Sequence, residues 1–383
     1  MKVLQIHARY RNESGEDTVV DAEATLLRSA GHEVVPLHAA SPTGRVRAVR
    51  LLVQSPWNVP AARTVERAVD AHEPDVAHVH NTWFALSPSV LDPLARARVP
   101  VVMTLHNYRL GCISRDLFRD GAPCTSCLGR SPAPGVLHRC YRGSYAASAM
   151  AAAELGIHRA RGTLRRGVDR FVVPTAFAAD LLVRAGVDAD RITVKPHFTS
   201  DPGPRPGPCR EATEVLYVGR LAAGKGVEEL LAAWRRAASP GLRLVLVGDG
   251  PLREEVERQA PADVEVAGWL PHGRVLERMR SARALAFPST WYEPFGMVLI
   301  EALAAGLPVV GFEAGAARQI VEPDPPDLLA PVGDVDALAR AIGRLEDDDL
   351  VDEASRRSRA RFEAAFTSGG NLPMLEAIYH SVR

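Results

Sequence analysis

Short apolar runs alternate with helix-like segments, stop at a proline- and glycine-rich stretch, and begin again beyond it. This double rhythm constrains the fold more than any other feature of the chain. The first series is Val3 to Ile6, Val34 to Leu37, Val76 to Val79, Val101 to Leu105 and Arg170 to Val173. Runs of that length without polar alternation suit strands covered on both faces of a parallel sheet. The second series is Val215 to Val218, Leu242 to Val247, Val264 to Val266, Ala284 to Phe287 and Pro308 to Gly311. Between the two, Ser200 to Pro208 holds too much Pro and Gly for either helix or strand and reads as an interdomain linker. The expected fold is α/β: a doubly wound domain over 1–199, a linker over 200–213, a second doubly wound domain over 214–365, and a final segment over 366–383. In that last segment Leu372, Leu375, Ile378 and Tyr379 form a helical stripe suited to crossing back onto the first domain. Open parallel sheets hold ligands beyond the carboxyl ends of their strands, so the ligand site is expected in the cleft between the domains.

The chain's 383 residues exceed what one hydrophobic core organises, which agrees with two domains. Apolar residues at 46% and charged residues at 24% exclude a disordered or membrane-embedded class. Lys plus Arg and Asp plus Glu both number 46, so no global field points to nucleic acid, and an anion site must come from local placement of a few cations. The opening Met1 to Ile6 reads as a strand rather than a secretory signal, and the Ala-rich stretch from Ala146 to Leu155 is too short to span a bilayer. Five cysteines, an odd number, argue against a disulfide framework, and the expected setting is the cytoplasm.

In the second half, Tyr217 to Val227 puts a strand end, two cations and three glycines into one connection that opens onto a helix. Glycines allow close backbone approach, a helix N-terminus favours negative charge, and Arg220 and Lys225 can neutralise a diphosphate. Further on comes Ser289-Thr290-Trp291-Tyr292-Glu293-Pro294-Phe295-Gly296-Met297, continuing through Glu301 to Val310. Pro294 suits the first turn of a helix, which would leave the amides of Phe295, Gly296 and Met297 as donors for phosphate or sugar hydroxyls. Glu301 would then lie about two turns into that helix, away from Glu293.

This segment resembles the E-x7-E region of retaining GT-B glycosyltransferases, in particular family 4, and the Gly-Arg-Leu to Lys-Gly element stands at the expected distance upstream. The resemblance extends over nearly the whole chain. It implies a GT-B fold and transfer of a sugar from a UDP- or GDP-linked donor to a glycan, lipid-linked or small-molecule acceptor. It also implies retained anomeric configuration and no cofactor or metal for catalysis. Glu293 would contact donor hydroxyls near the reacting carbon and Glu301 the ribose hydroxyls. Gly268-Trp269-Leu270-Pro271 is similar to the segment facing the nucleobase, which makes Leu270 the base-contact candidate; as plain core it would be equally unremarkable. The family often has a Gly-Gly-x-x-Glu turn where this chain reads Gly315-Ala316-Ala317-Arg318-Gln319, so the role of that carboxylate is vacant.

In the first half, Asn12 to Thr18 is similar to the family's first glycine loop, with Gly15 as the diphosphate candidate; an ordinary turn explains it as well. His106 follows the Val101 to Leu105 run, where an α/β sheet displays its chemistry, and resembles the histidine that family members place against the donor sugar. His80 ends the preceding run and ranks below it. Cys112, Cys124, Cys127 and Cys140, the middle pair as C-x2-C, are candidate ligands of a structural zinc, with disulfide pairing or plain thiols as alternatives. Similar cysteine-bearing insertions occur in a subset of family 4-like sequences. Arginines from Arg139 to Arg170 suit either a solvated helix face or peripheral contact with an anionic membrane. Two other functions fit part of the pattern: a glycoside hydrolase using Glu293 and Glu301, and a catalytically silent nucleotide-sugar binder.

Overall fold

In a computed structural model, the structure describes residues 1–9, 15–40, 56–83, 85–321 and 328–383. The chain divides into two compact units. Unit 1 comprises Met1–Leu117, Thr125–Pro196 and Asn371–Arg383; unit 2 comprises Phe118–Cys124 and His197–Gly370.

Unit 1 is built on β1 (Lys2–Arg9), β2 (Glu33–Ala40), β3 (Val76–Val79) and β4 (Val101–Thr104), with two later strands described below. Their burial follows from composition: Val3, Leu4, Ile6, Val76, Val79 and Val102 are each 0% exposed, as expected of a sheet covered on both faces. After the short antiparallel hairpin of β5 (Phe118–Arg119) and β6 (Ala122–Pro123), which groups with unit 2, come β7 (Arg170–Val173) and β8 (Ile192–Val194). The order is β2-β1-β3-β4-β7-β8, all parallel. The chain leaves β1 to one side for β2 and to the other for β3, which makes the carboxyl ends of β1 and β3 the topological switch point. The helix Ser368–His380 delivers Leu375, Ile378 and Tyr379 into the same core as Val3, Val76, Val102 and Val172.

Unit 2 repeats the plan with β9 (Glu214–Val218), β10 (Arg243–Val247), β11 (Val264–Gly268), β12 (Ala284–Phe287), β13 (Val309–Phe312) and β14 (Leu329–Ala330). The order is β11-β10-β9-β12-β13-β14, all parallel, with the switch point between β9 and β12. The loops leaving those two strands carry the cationic glycine element and the Glu-Pro-Phe-Gly turn.

Three expectations need correction. The Pro-rich stretch is no loose tether: Arg205 donates from Nη2 to Ala282 O at 2.6 Å, and Asp201 pairs with Arg359 at 2.5 Å. Those side-chain bonds bind it to unit 2, so the division falls at Pro196/His197 and, near the end, at Gly370/Asn371. The helix carrying Glu301 is Met297–Ala304, and Pro294 lies before it. Gly296 adopts φ +87°, a left-handed conformation that breaks helical continuity between Pro294 and Met297. Glu301 therefore sits about one turn into its helix. The amide of Phe295 is not part of the helix start, and the Phe295 ring is buried with His197 at 4.9 Å and Phe366 at 6.0 Å between ring centroids.

Candidate active site

The loop after β9 is fixed before it meets any ligand. Tyr217, buried at the end of its strand, donates its hydroxyl to Arg220 O at 3.0 Å, and burial pushes its pKa well above the usual tyrosine value. Leu221 N donates to Asp249 O in the loop after β10, also at 3.0 Å. At Gly226 φ is +72°, and a Cβ there would stand 1.7 Å from Pro288 O, so this contact between the β9 and β12 loops is open only to glycine. Thr290 N donates to Gly224 O at 3.0 Å and completes the join.

That join brings Lys225 to Glu293, with Nζ 2.7 Å from Oε2. The indole Nε1 of Trp291 donates to the same oxygen at 2.8 Å, and Lys225 Nζ lies 4.5 Å from the Trp291 ring centroid. Glu293 is 9% exposed and is therefore held in a fixed direction by two donors. Its backbone is held as well. Gly315 has φ +59°, a Cβ at that position would lie 2.4 Å from Glu293 N, and Ala316 N donates to Glu293 O at 3.0 Å. The turn lacking the family's glutamate still performs this backbone task, while Gln319 is exposed. Sequence reasoning missed Trp291 as a site residue; its place two residues before Glu293 was the available signal.

Glu301, also 9% exposed, accepts from His272 Nε2 at 3.0 Å, and that hydrogen bond raises the His272 pKa. Arg220 is exposed, Leu270 half-buried, and Gly296 and Met297 form the start of the Glu301 helix. Unit 2 thus brings Lys225, Glu293 and Trp291 into direct contact and places Glu301 on the adjoining helix.

In unit 1, Gly15 begins the helix Gly15–Ser29, and the preceding residues 12–14 lie outside the described residues. The first turn of that helix carries Glu16, which accepts from Asn107 Nδ2 at 2.8 Å, and Asp17, whose Oδ1 is 2.9 Å from His7 Nε2. His106 stands half-buried just beyond β4. Its Nε2 is 3.1 Å from His80 Nδ1, and the rings stack at 5.4 Å. Desolvation holds the His106 pKa below the ordinary value against the attraction of Glu16 and Glu23. His80, His106, Trp83, Glu154 and His158 help line a cavity of about 70 Å³.

All five cysteines are present as thiols. Among the described residues, the only group of three or more His, Cys, Asp or Glu close enough to share a metal is Glu23, His78 and His80. Cys112, Cys127 and Cys140 belong to unit 1 and Cys124 to unit 2, and none of them is in that group. Cys112 Sγ instead contacts Ser114 Oγ at 3.1 Å, and Cys140 packs beside Trp83 and Ile113.

Paired doubly wound domains, one of them joining a cationic glycine loop to a Glu-Pro-Phe-Gly turn at its switch point, define the GT-B class of glycosyltransferase. Residues 14–197 match the family model described as glycosyl transferase 4-like domain, and residues 212–348 the one described as glycosyl transferases group 1. The phosphatidyl-myo-inositol mannosyltransferase of Mycolicibacterium smegmatis is 30% identical over 382 residues, covering 93% of this chain and 88% of that protein. The chain belongs to this glycosyltransferase family. The 2-deoxystreptamine N-acetyl-D-glucosaminyltransferase of Streptomyces fradiae is 32% identical over 312 residues, or 75% of this chain, which spans 65% of that relative's length. Anabaena HepE in complex with UDP-glucose shares the fold, with a TM-score of 0.67, 19% identity and 99% of each chain covered. No helix among the described residues is long and apolar enough to cross a membrane.

Proposed function

We propose that this protein transfers a sugar from a UDP- or GDP-linked donor to an acceptor hydroxyl with retention of anomeric configuration and without a catalytic metal. The observation that carries the reading is the Lys225–Glu293–Trp291 contact at the switch point of unit 2. Lys225 and Arg220 supply positive charge for the diphosphate as it leaves, and the first amides of the Glu301 helix add to it. Both donors to Glu293 use Oε2, and Oε1 is engaged by no other described residue, which suits it to a donor-sugar hydroxyl. Glu301 takes the ribose hydroxyls in exchange for His272, Leu270 faces the base, and Gly296 and Met297 offer amides to the donor. In unit 1, Gly15 is the candidate for the diphosphate and His106 the candidate for the sugar. The acceptor attacks from the face the diphosphate leaves, and a donor phosphate oxygen takes its proton. UDP-glucose, present in the HepE complex, and the mannosyl and N-acetylglucosaminyl groups in the names of the two transferases suggest a short screening set. Acceptors of the two transferases are cyclitols by name, so free and lipid-linked cyclitols join glycans among the acceptors to try.

The test is to incubate the protein with UDP-glucose, UDP-N-acetylglucosamine and GDP-mannose, with and without such acceptors, and to measure free nucleoside diphosphate. Acceptor-stimulated release that disappears in Glu293→Gln is the expected result. Saturable binding without release marks a silent binder. Sugar cleaved from a glycoside with no nucleotide requirement marks a hydrolase, and either outcome overturns the proposal.

A further inference from the structure

Trp291 touches both charged residues of the unit 2 site but makes no ligand contact in the proposed reaction. Its Nε1–H donates to Glu293 Oε2 at 2.8 Å, its ring centroid lies 4.5 Å from Lys225 Nζ, and Lys225 Nζ donates to the same oxygen at 2.7 Å. The three side chains close a triangle. The backbone keeps it in shape. Glu293 N donates to Trp291 O at 2.8 Å, a tight turn that sets indole and carboxylate side by side, and Thr290 N and Ser289 Oγ both donate to Gly224 O.

The two donors to Glu293 differ in what an arriving anion does to them. Lys225 is 32% exposed at its side chain, has a flexible stem and carries a full charge on three N–H donors, so a diphosphate competes with Glu293 for it. The histidine line of unit 1, in which His80 and His78 approach Glu23 behind His106, holds the contrary case. There Lys195, 0% exposed, donates to Glu23 Oε1 and to Asn371 Oδ1, each at 2.8 Å, and solvent does not reach it. The ring nitrogens of His78 lie 2.8 Å from Tyr379 Oη and 2.7 Å from Thr104 Oγ1, which closes that network further.

The indole N–H of Trp291 is neutral and rides on a half-buried ring, so a diphosphate attracts it far less than it attracts an ammonium. When Lys225 turns to the diphosphate, Trp291 is the donor that remains on Glu293. Without it a carboxylate 9% exposed would lose both bonds just as it has to face the sugar. The ring face plays the other part: attraction between a cation and an aromatic face is broad, so the ammonium can turn and still be held.

We propose that Trp291 is a positioning residue for both halves of the donor. Its N–H keeps the Glu293 carboxylate in place for the sugar once Lys225 has turned to the diphosphate, and its ring face keeps the ammonium in the site during that exchange. The inference rests on the reading of Lys225 as the diphosphate cation and Glu293 as the sugar contact.

The experiment follows the Trp291 indole N–H by NMR of the full chain labelled with 15N-tryptophan, the signal being assigned by its absence in Trp291→Phe. With UDP or GDP at saturation the proton should keep the downfield position of an N–H bonded to a carboxylate, and in Glu293→Gln it should move upfield. A shift to the free-indole position on nucleotide binding, or no shift in Glu293→Gln, would overturn the proposal. Trp291→Phe keeps a ring face and removes the N–H. It should lower kcat about tenfold, the scale of one lost hydrogen bond, with UDP or GDP affinity within about twofold. Trp291→Leu removes both features and should add about threefold weaker diphosphate binding, the scale of one partly exposed cation–π contact. Equal losses of affinity and turnover in the two variants would show that the indole only fills space. Should Trp291→Phe turn over like the wild type while Glu293→Gln is impaired, the positioning role fails and the sugar contact stands. Should neither UDP nor GDP bind, the donor reading and this inference fall together.

Discussion

The switch-point loops of unit 2 and the buried histidine line of unit 1 both bring unlike charges together, but they differ in where the partners come from. In unit 2 Lys225, Trp291 and Glu293 lie on two loops, each a contiguous motif, and Lys225 is 32% exposed at its side chain. In unit 1 Glu23, His78, His80, Lys195, Asn371 and Tyr379 come from segments as distant as a sheet can gather and are almost wholly excluded from water. The difference teaches that loop chemistry is built to exchange partners when a ligand arrives, whereas a closed network is built to keep them. Loss of one loop partner should therefore register in binding and turnover, and loss of one buried partner in stability.

The largest expected effect is on the buried side. Lys195→Met leaves Glu23 ionised and unpaired, which should cost about 3–5 kcal/mol in urea unfolding. The double variant Glu23→Gln/Lys195→Met should recover most of it; equal loss in both would show that packing, not charge, is what Lys195 provides. Because the folded Glu23 pKa is depressed below 4.5, its contribution is present above that pH and is lost as pH falls through the folded value.

Next comes Glu293→Gln, which should lower kcat by about a hundredfold, the scale of one misplaced transition-state contact, while leaving diphosphate affinity within about twofold. A comparable loss of affinity would mean that Glu293 serves the loop's structure. Lys225→Ala should weaken UDP or GDP binding about tenfold and Arg220→Ala less, since Arg220 is exposed. The stabilisation of Tm by each diphosphate reads both.

The smallest effect belongs to His272→Ala, which removes an exposed partner of Glu301 and should cost only about 0.5 kcal/mol. The His272 pKa is raised in the fold, so this contribution is full below 6.5 and fades as pH rises through the folded value. A larger or oppositely signed dependence would place Glu301 with the closed network instead of with the exchangeable loops.

The contrast also explains what was readable in the sequence. Val101 to Thr104 and Ala284 to Phe287 announce themselves because a doubly covered strand must be apolar throughout. Ile192–Val194 and Leu329–Ala330 escape, since an edge strand of two or three residues carries too little pattern. Lys225 and Glu293 were legible because adjacency in the motif is adjacency in the loop. The helix start was misplaced at Pro294 because the left-handed Gly296 two residues later sets the boundary. Glu23 reads in sequence as one more carboxylate on an amphipathic helix, and Lys195 as a cation near a domain end. Only the parallel sheet, which sets β3, β4 and β8 in order, shows that they meet.

The most direct test of the proposed reaction is proton NMR of the sugar first released from a nucleotide-sugar donor, with water or a cyclitol as acceptor. Retention through the Glu293 site predicts that the earliest product carries the donor's own anomeric configuration and that its formation slows about a hundredfold in Glu293→Gln. The opposite anomer appearing first, or release in the variant at the wild-type rate, would contradict it.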